Sequence, residues 1–138
     1  LMHMQGTPKS MQKNPFYHNV IDEISMFFKE QVGKLVKKGF PLHKIIFDPG
    51  IGFGKTLQHN LKILKNIDII CNLGCHTLIG TSRKSFIGDL LRCPPNKRLE
   101  GTISSSLYAI TQGVKIIRVH DVLEVRKALT ILEKILKA

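Results

Sequence analysis

The stretch Lys44-Ile45-Ile46-Phe47-Asp48-Pro49-Gly50-Ile51-Gly52-Phe53-Gly54-Lys55 decides the fold. Its opening is a short β-branched and aromatic run of the kind that forms a buried strand. The run ends in an acid, a proline and three alternating glycines, and a helical pattern starts at Leu57. The same plan recurs downstream. Thr77-Leu78-Ile79 leads into Gly80-Thr81-Ser82-Arg83-Lys84-Ser85-Phe86-Ile87-Gly88, and Lys115-Ile116-Ile117 leads into Arg118-Val119-His120-Asp121. Strands alternating with helices imply parallel pairing through right-handed crossovers. Acid, base and cation then collect at the carboxyl ends of neighbouring strands, where parallel α/β folds bind ligands.

Outward from these motifs the chain reads as helices and connections. Leu1 to Gly6 reads as a strand end with its turn, and Thr7 to Tyr17 as a loop. Val20, Ile24, Phe27, Phe28, Val32, Leu35 and Val36 recur at helical spacing, and Gly39 is placed to stop that helix. A second helix is expected from Leu57 to Ile70, with Leu57, Leu61, Leu64 and Ile67 inward. Further helices are expected over Ser85–Leu91, Arg98–Gln112 and Val122–Leu136, the last with the stripe Val122, Val125, Leu129, Leu132 and Leu136. No low-complexity tract, linker or domain boundary divides residues 1–138.

With 138 residues, 43% hydrophobic and 22% charged, the chain has the makings of one domain with a real core. No apolar run approaches the ~20 residues that span a bilayer, and the start lacks a signal-peptide pattern. A cytoplasmic location without membrane partners is the expectation. Cys71, Cys75 and Cys93 lack zinc-ligand spacing and read as reduced thiols. The net charge of +11 raises nucleic-acid binding. Against that, the lysines are spread over helical segments, and two tyrosines with no tryptophan offer little for base stacking. What remains for the charge is attraction of anionic substrates.

The glycine loop fits no nucleotide motif. The G-x-x-x-x-G-K-[ST] pattern needs glycine where Pro49 stands, and G-x-G-x-x-G needs it where Lys55 stands. Asp48 has two readings: a carboxylate accepting paired N–H groups from a heterocycle, or a turn-forming residue before proline. Lys84 can donate to a ring carbonyl or hold an anion, and Ser85 can cap the following helix. Arg118 and His120, two apart on a strand, share a face and make an anion site. The alternative is Arg118 paired with Asp121. His3 reads as structural; His18, His43, His59 and His76 read as surface or packing residues.

Taken together, Met2 through Pro8, Asp48 through Lys55, Gly80 through Gly88 and Gly113 through Val122 closely resemble dihydropteroate synthases, in that family's order and across essentially the whole chain. The resemblance implies a (β/α)₈ TIM-barrel fold, of which this chain carries the later half, from the end of strand five through helix eight. It implies a partial pterin-binding domain over 1–138. It also implies a transferase of folate biosynthesis that joins 6-hydroxymethyl-7,8-dihydropterin pyrophosphate to 4-aminobenzoate, a reaction with which sulfonamides compete. By the same resemblance Asp48, Lys84, Gly80 and Met2 bind pterin. Arg118 and His120 bind pyrophosphate and, with Lys84, form the catalytic set. Gly52, Phe53, Lys84 and Ser85 face the aminobenzoate.

Mg²⁺ is implied as cofactor with its ligands in an absent N-terminal half, so no metal ligand is expected in this chain. The complete enzyme is implied to be a homodimer through its late helices. A half-barrel exposes strand edges and apolar faces, so the isolated chain is expected to be inactive. Two other readings stand beside this one: a non-catalytic remnant that binds pterin or a protein partner, and a pterin-binding methyltransferase barrel.

Overall fold

The computed structural model describes residues 1–138. Six helices, α1 (Val20–Lys37), α2 (Leu57–Lys65), α3 (Ile67–Cys71), α4 (Ser85–Leu91), α5 (Leu99–Thr111) and α6 (Val122–Leu136), alternate with strands β1 (Ile46–Phe47), β2 (His76–Ile79) and β3 (Ile116–Ile117). The strands pair in parallel in sequence order, with Phe47 opposite Thr77 and Ile79 opposite Ile117. A parallel bridge between Met2 and Asp48 places a fourth strand end beside β1. The result is the expected parallel α/β arrangement. No helix is long and apolar enough to cross a membrane.

Local chemistry starts and stops the helices. The Asn19 side chain accepts from the backbone N–H groups of Ile21 and Asp22 at the head of α1. At its tail, Gly39 takes a φ of +81° and donates to Val36 O, while Phe40 N–H donates to Leu35 O. Thr56 and His59 cap α2 reciprocally, which gives His59 the partner that the sequence reading lacked. The core lies between sheet and helices. Phe28 of α1 stacks on Phe47 of β1 at 4.3 Å, among fully buried Ile24, Ile63, Ile67, Ile70 and Ile79.

Several sequence expectations need correction. The segment before β1 is a 3₁₀ turn over Leu42–Lys44 that follows Pro41, and only Ile46 and Phe47 pair as strand. The expected Leu57–Ile70 helix breaks at Asn66, whose side-chain amide donates back to Lys62 O at 2.8 Å and competes with the helical ladder. Val36 is exposed, and Ile21 and Ile63 are buried in positions the stripes omit. On α6 only Val125 is buried, while Val122 and Leu136 are exposed. Arg118 and His120 lie beyond β3, so loop geometry rather than strand alternation sets their directions.

Candidate active site

The glycine loop is anchored from several directions. Asp48 Oδ1 accepts from Gly50 N–H at 2.8 Å, and Gly52 N–H donates to the buried Asn60 side chain at 2.8 Å. Gln12 donates to Gly52 O, Lys84 to Ile51 O at 2.8 Å, Lys55 to Phe53 O at 2.9 Å and Tyr17 to Gly54 O at 2.8 Å. Gly50, Gly52 and Gly54 all have positive φ, which L side chains rarely adopt. Close approach adds to this: a Cβ on Gly50 would overlap the His3 carbonyl oxygen, and one on Gly54 would sit 2.6 Å from Gln5 O. The turn reading of Asp48 is thus correct for one oxygen, and Oδ2 makes no protein hydrogen bond.

Beside this loop, Gly80, Ser82, Lys84, Arg118, Val119 and His120 line a cleft of about 350 Å³ at the carboxyl ends of β2 and β3. Backbone pairing sets the two walls together: Arg118 N–H donates to Ile79 O at 2.9 Å. Ser82 then joins them through its side chain. Its Oγ lies 2.8 Å from His120 Nδ1 and accepts from His120 N–H at 3.1 Å. Because Oγ already accepts from that N–H, its own proton is free to go to Nδ1 when the ring is neutral. The ring proton then sits on Nε2.

Lys84 links cleft and loop. Its ammonium lies 4.1 Å from the Phe53 ring centroid and packs over Gly52, where a Cβ would come within 3.1 Å of Lys84 Cδ. Burial, then the charge of Arg118, pushes the Lys84 pKa below the usual lysine value, while Asp48 opposes the shift. Lys55 is more deeply buried behind the loop, and burial brings it down to about 8. The cleft therefore concentrates cations in a partly desolvated place, which suits an anion.

The structure brings together Gly80, Lys84, Arg118 and His120 around one cleft, with Asp48, Gly52 and Phe53 on the adjoining loop and Met2 bridged to Asp48. Ser85 stands apart. It is exposed as the first residue of α4 and makes no cap hydrogen bond, so the cap expectation fails. The helix instead begins where Arg98 donates to the carbonyls of Arg83 and Lys84. Asp121 pairs with Arg83, not Arg118. Lys55, Asn60, Tyr17 and Arg98 shape the site without a sequence signal, except that Lys55 closes the glycine motif. No group of three or more His, Cys, Asp or Glu side chains converges in the chain.

Comparison with known proteins places this geometry. The family model described as pterin binding enzyme matches residues 1–120. The dihydropteroate synthase of Escherichia coli K12 is 43% identical over 138 residues, covering 100% of this chain and 49% of that protein. A crystal structure of the Yersinia pestis dihydropteroate synthase with a sulfonamide drug complex superposes with a TM-score of 0.96 at 41% identity, covering 99% of this chain and 50% of the other. The Thermus thermophilus dihydropteroate synthase matches in its complex with 6HMPPP (TM-score 0.92, 38% identity, 97% and 53% covered) and in its complex with 4-aminobenzoate (0.91, 38%, 97% and 55%). The chain spans about half the length of the curated relatives it matches. Its fold is that of half a (β/α)₈ barrel, and the chain belongs to the pterin binding enzyme family.

Proposed function

We propose that this chain supplies the later half of a dihydropteroate synthase. In this reading the enzyme condenses 6-hydroxymethyl-7,8-dihydropterin pyrophosphate with 4-aminobenzoate to give 7,8-dihydropteroate and pyrophosphate. One observation carries it: Lys84, Arg118 and His120 line a single cleft that adjoins the anchored Asp48–Lys55 loop.

The free Asp48 oxygen accepts pterin N–H groups, and Met2 and Gly80 line the same pocket. Lys84 has donors left after its bond to Ile51 O, and one serves the pterin carbonyl. Arg118 and His120 bind the pyrophosphate. As the C–O bond to pyrophosphate breaks, positive charge develops on the pterin methylene. The arylamine nitrogen attacks that carbon, the C–N bond forms, and the amine proton leaves to the departing anion or water. Arg118, His120 and Lys84 stabilise the anion as its charge grows, a contribution that strengthens in the transition state. Phe53 and Gly52 flank the aminobenzoate, with Lys84 between the two substrates, and Ser85, exposed at the head of α4, is a further contact by the family resemblance alone. Mg²⁺, held by residues outside these 138, supplies further charge neutralisation on the phosphates when bound.

The enzyme in this reading is cytoplasmic, a sulfonamide target and a homodimer. Exposed Leu90, Leu91 and Tyr108 on α4 and α5 offer apolar surface for the dimer. The test is turnover and substrate binding in the full-length protein. Lys84→Ala should weaken pterin binding and Arg118→Ala pyrophosphate binding, each with at least about a tenfold loss of kcat/KM, as expected for removing a charged hydrogen bond. Unchanged constants in both variants would reject the reading.

A further inference from the structure

The Arg83–Asp121 pair stands outside the residues assigned above. It is the only ion pair in the structure. Arg83 Nε donates to Asp121 Oδ2 at 3.1 Å, and Nη2 donates to Oδ1, a bidentate fork. Two features of the pair are unusual. Asp121 occupies the N-cap of α6, where an aspartate ordinarily accepts the first free N–H groups, yet it makes no cap hydrogen bond. Arg83 holds a φ of +57°, a left-handed conformation uncommon for a residue with a side chain. Thr102 Oγ1 accepts from its N–H at 3.0 Å, and Arg98 donates to its carbonyl at 2.9 Å, which fix that turn. The fold gives up a helix cap and strains a turn to set this guanidinium on this carboxylate.

The position of Asp121 gives the pairing a purpose. It directly follows His120, which lines the cleft together with the cations Lys84 and Arg118. An unpaired carboxylate there opposes any anion entering the cleft. With both oxygens engaged by Arg83, that opposition is cancelled. Neither Arg83 nor Asp121 lines the cleft itself; both act on it from beside His120 and Lys84.

We propose that Arg83 serves anion recognition indirectly, by neutralising Asp121 so that the cleft between Gly80–Lys84 and Arg118–His120 keeps the positive potential a pyrophosphate-class anion requires. The inference rests on the proposed function and deepens it. Two physical roles for the pair differ in their signatures. A mechanical brace makes loss of either partner equivalent. Neutralisation makes them opposite, because Arg83→Gln unmasks an acid while Asp121→Asn unmasks a cation.

The experiment is calorimetric binding of inorganic pyrophosphate to the full-length protein, with Arg83→Gln, Asp121→Asn, the double variant and Arg118→Ala compared. Arg83→Gln should bind about tenfold more weakly, the scale of one unit charge acting on a multiply charged anion in a partly hydrated site. Asp121→Asn should bind at least as tightly as the unsubstituted protein. The double variant should return to within about twofold of it, a rescue that a merely structural pair would not give. Equal losses in both single variants, unrelieved in the double, would overturn the inference, as would unchanged binding in Arg83→Gln. If Arg118→Ala also binds normally, the proposed function falls and takes this inference with it. If Arg118→Ala weakens binding and Arg83→Gln does not, only the inference falls.

Discussion

Lys55 Nζ lies 3.2 Å from Nδ1 of His3, with 4% of Lys55 and 8% of His3 exposed. The contact joins residues 52 positions apart and ties the first strand end to the back of the glycine loop. The ammonium also donates to the carbonyls of Phe53 and His3, and no carboxylate pairs with it. With Nδ1 accepting from a cation, His3 is neutral and carries its proton on Nε2. Its ring packs edge-on to Phe27 at 5.2 Å. Burial, and then the Lys55 charge, push the His3 pKa down to about 4, from an ordinary value of 6.5.

That depression sets an acid limit. Between pH 6.5 and about 4 the unfolded chain binds a proton on His3 that the native chain refuses. Stability is therefore full above 6.5 and falls as pH drops toward 4, by about 2 kcal/mol after discounting for water near the ring. His3→Asn should flatten this slope. Urea denaturation at several pH values across the window is the check, and an unaltered slope in the variant would contradict it.

Lys55 predicts the opposite limb. Its native pKa of about 8 lies below the 10.5 of a free lysine, so from pH 8 to 10.5 the unfolded state holds the extra proton. Stability contributed by this group should rise with pH across that interval. Below pH 8 the buried charge is a standing cost. Lys55→Met, of similar volume, should abolish the alkaline rise and, under the proposed function, weaken arylamine binding, since Phe53 O loses its partner. Thermal melts between pH 8 and 10.5, with KM for the arylamine, distinguish this from a passive surface lysine.

Two helix glycines should respond to alanine with opposite signs. Gly33 in α1 has open space where a Cβ would go. Gly33→Ala should therefore stabilise by about 0.5–1 kcal/mol, the helix propensity difference. A Cβ on Gly101 in α5 would instead overlap Cγ2 of the buried Ile87 in α4. Gly101→Ala should destabilise by about 1–3 kcal/mol, the cost of overpacking. Chemical denaturation of the two variants side by side is the measurement, and the same sign in both would refute the packing argument.

The contrast between Gly33 and Gly101 shows where sequence reading stops. Both look like interruptions of a helical pattern, and only the crossing of α5 with α4 tells them apart. Periodicity placed the helices because apolar spacing is local. It joined α2 to α3 because an amide bonding back to its own helix, as Asn66 does, leaves that spacing intact. The candidate cleft and its adjoining loop were legible where chemistry sat in a motif at a strand end: Asp48, Lys84, Arg118 and His120. Asn60 and Tyr17 were not, since each reaches the glycine loop from elsewhere in the chain and is a residue type common in any helix or loop. Ser82 was visible as part of a polar run, but its bond to His120 spans 38 residues and belongs to the tertiary structure.

That Ser82–His120 contact yields the last expectation. Ser82 is buried, and its hydroxyl serves both His120 N–H and Nδ1. In the neutral ring Oγ donates to Nδ1; when the ring is protonated, Nδ1–H donates to Oγ. Either way the imidazole is held in place and Nε2 keeps a proton to donate. Ser82→Ala removes both partners at once. It leaves a half-buried N–H unsatisfied, which should cost about 1–2 kcal/mol of stability, and frees the ring to rotate out of the cleft. If the proposed function holds, kcat of the full-length protein should fall about tenfold, the scale of one misplaced charge-stabilising group, with KM for the arylamine little changed. Steady-state kinetics with a parallel melt separate the outcomes. Lost stability at full kcat would mean that Ser82 supports the fold alone, whereas a kcat loss exceeding the melt's small shift marks it as the residue that aims His120.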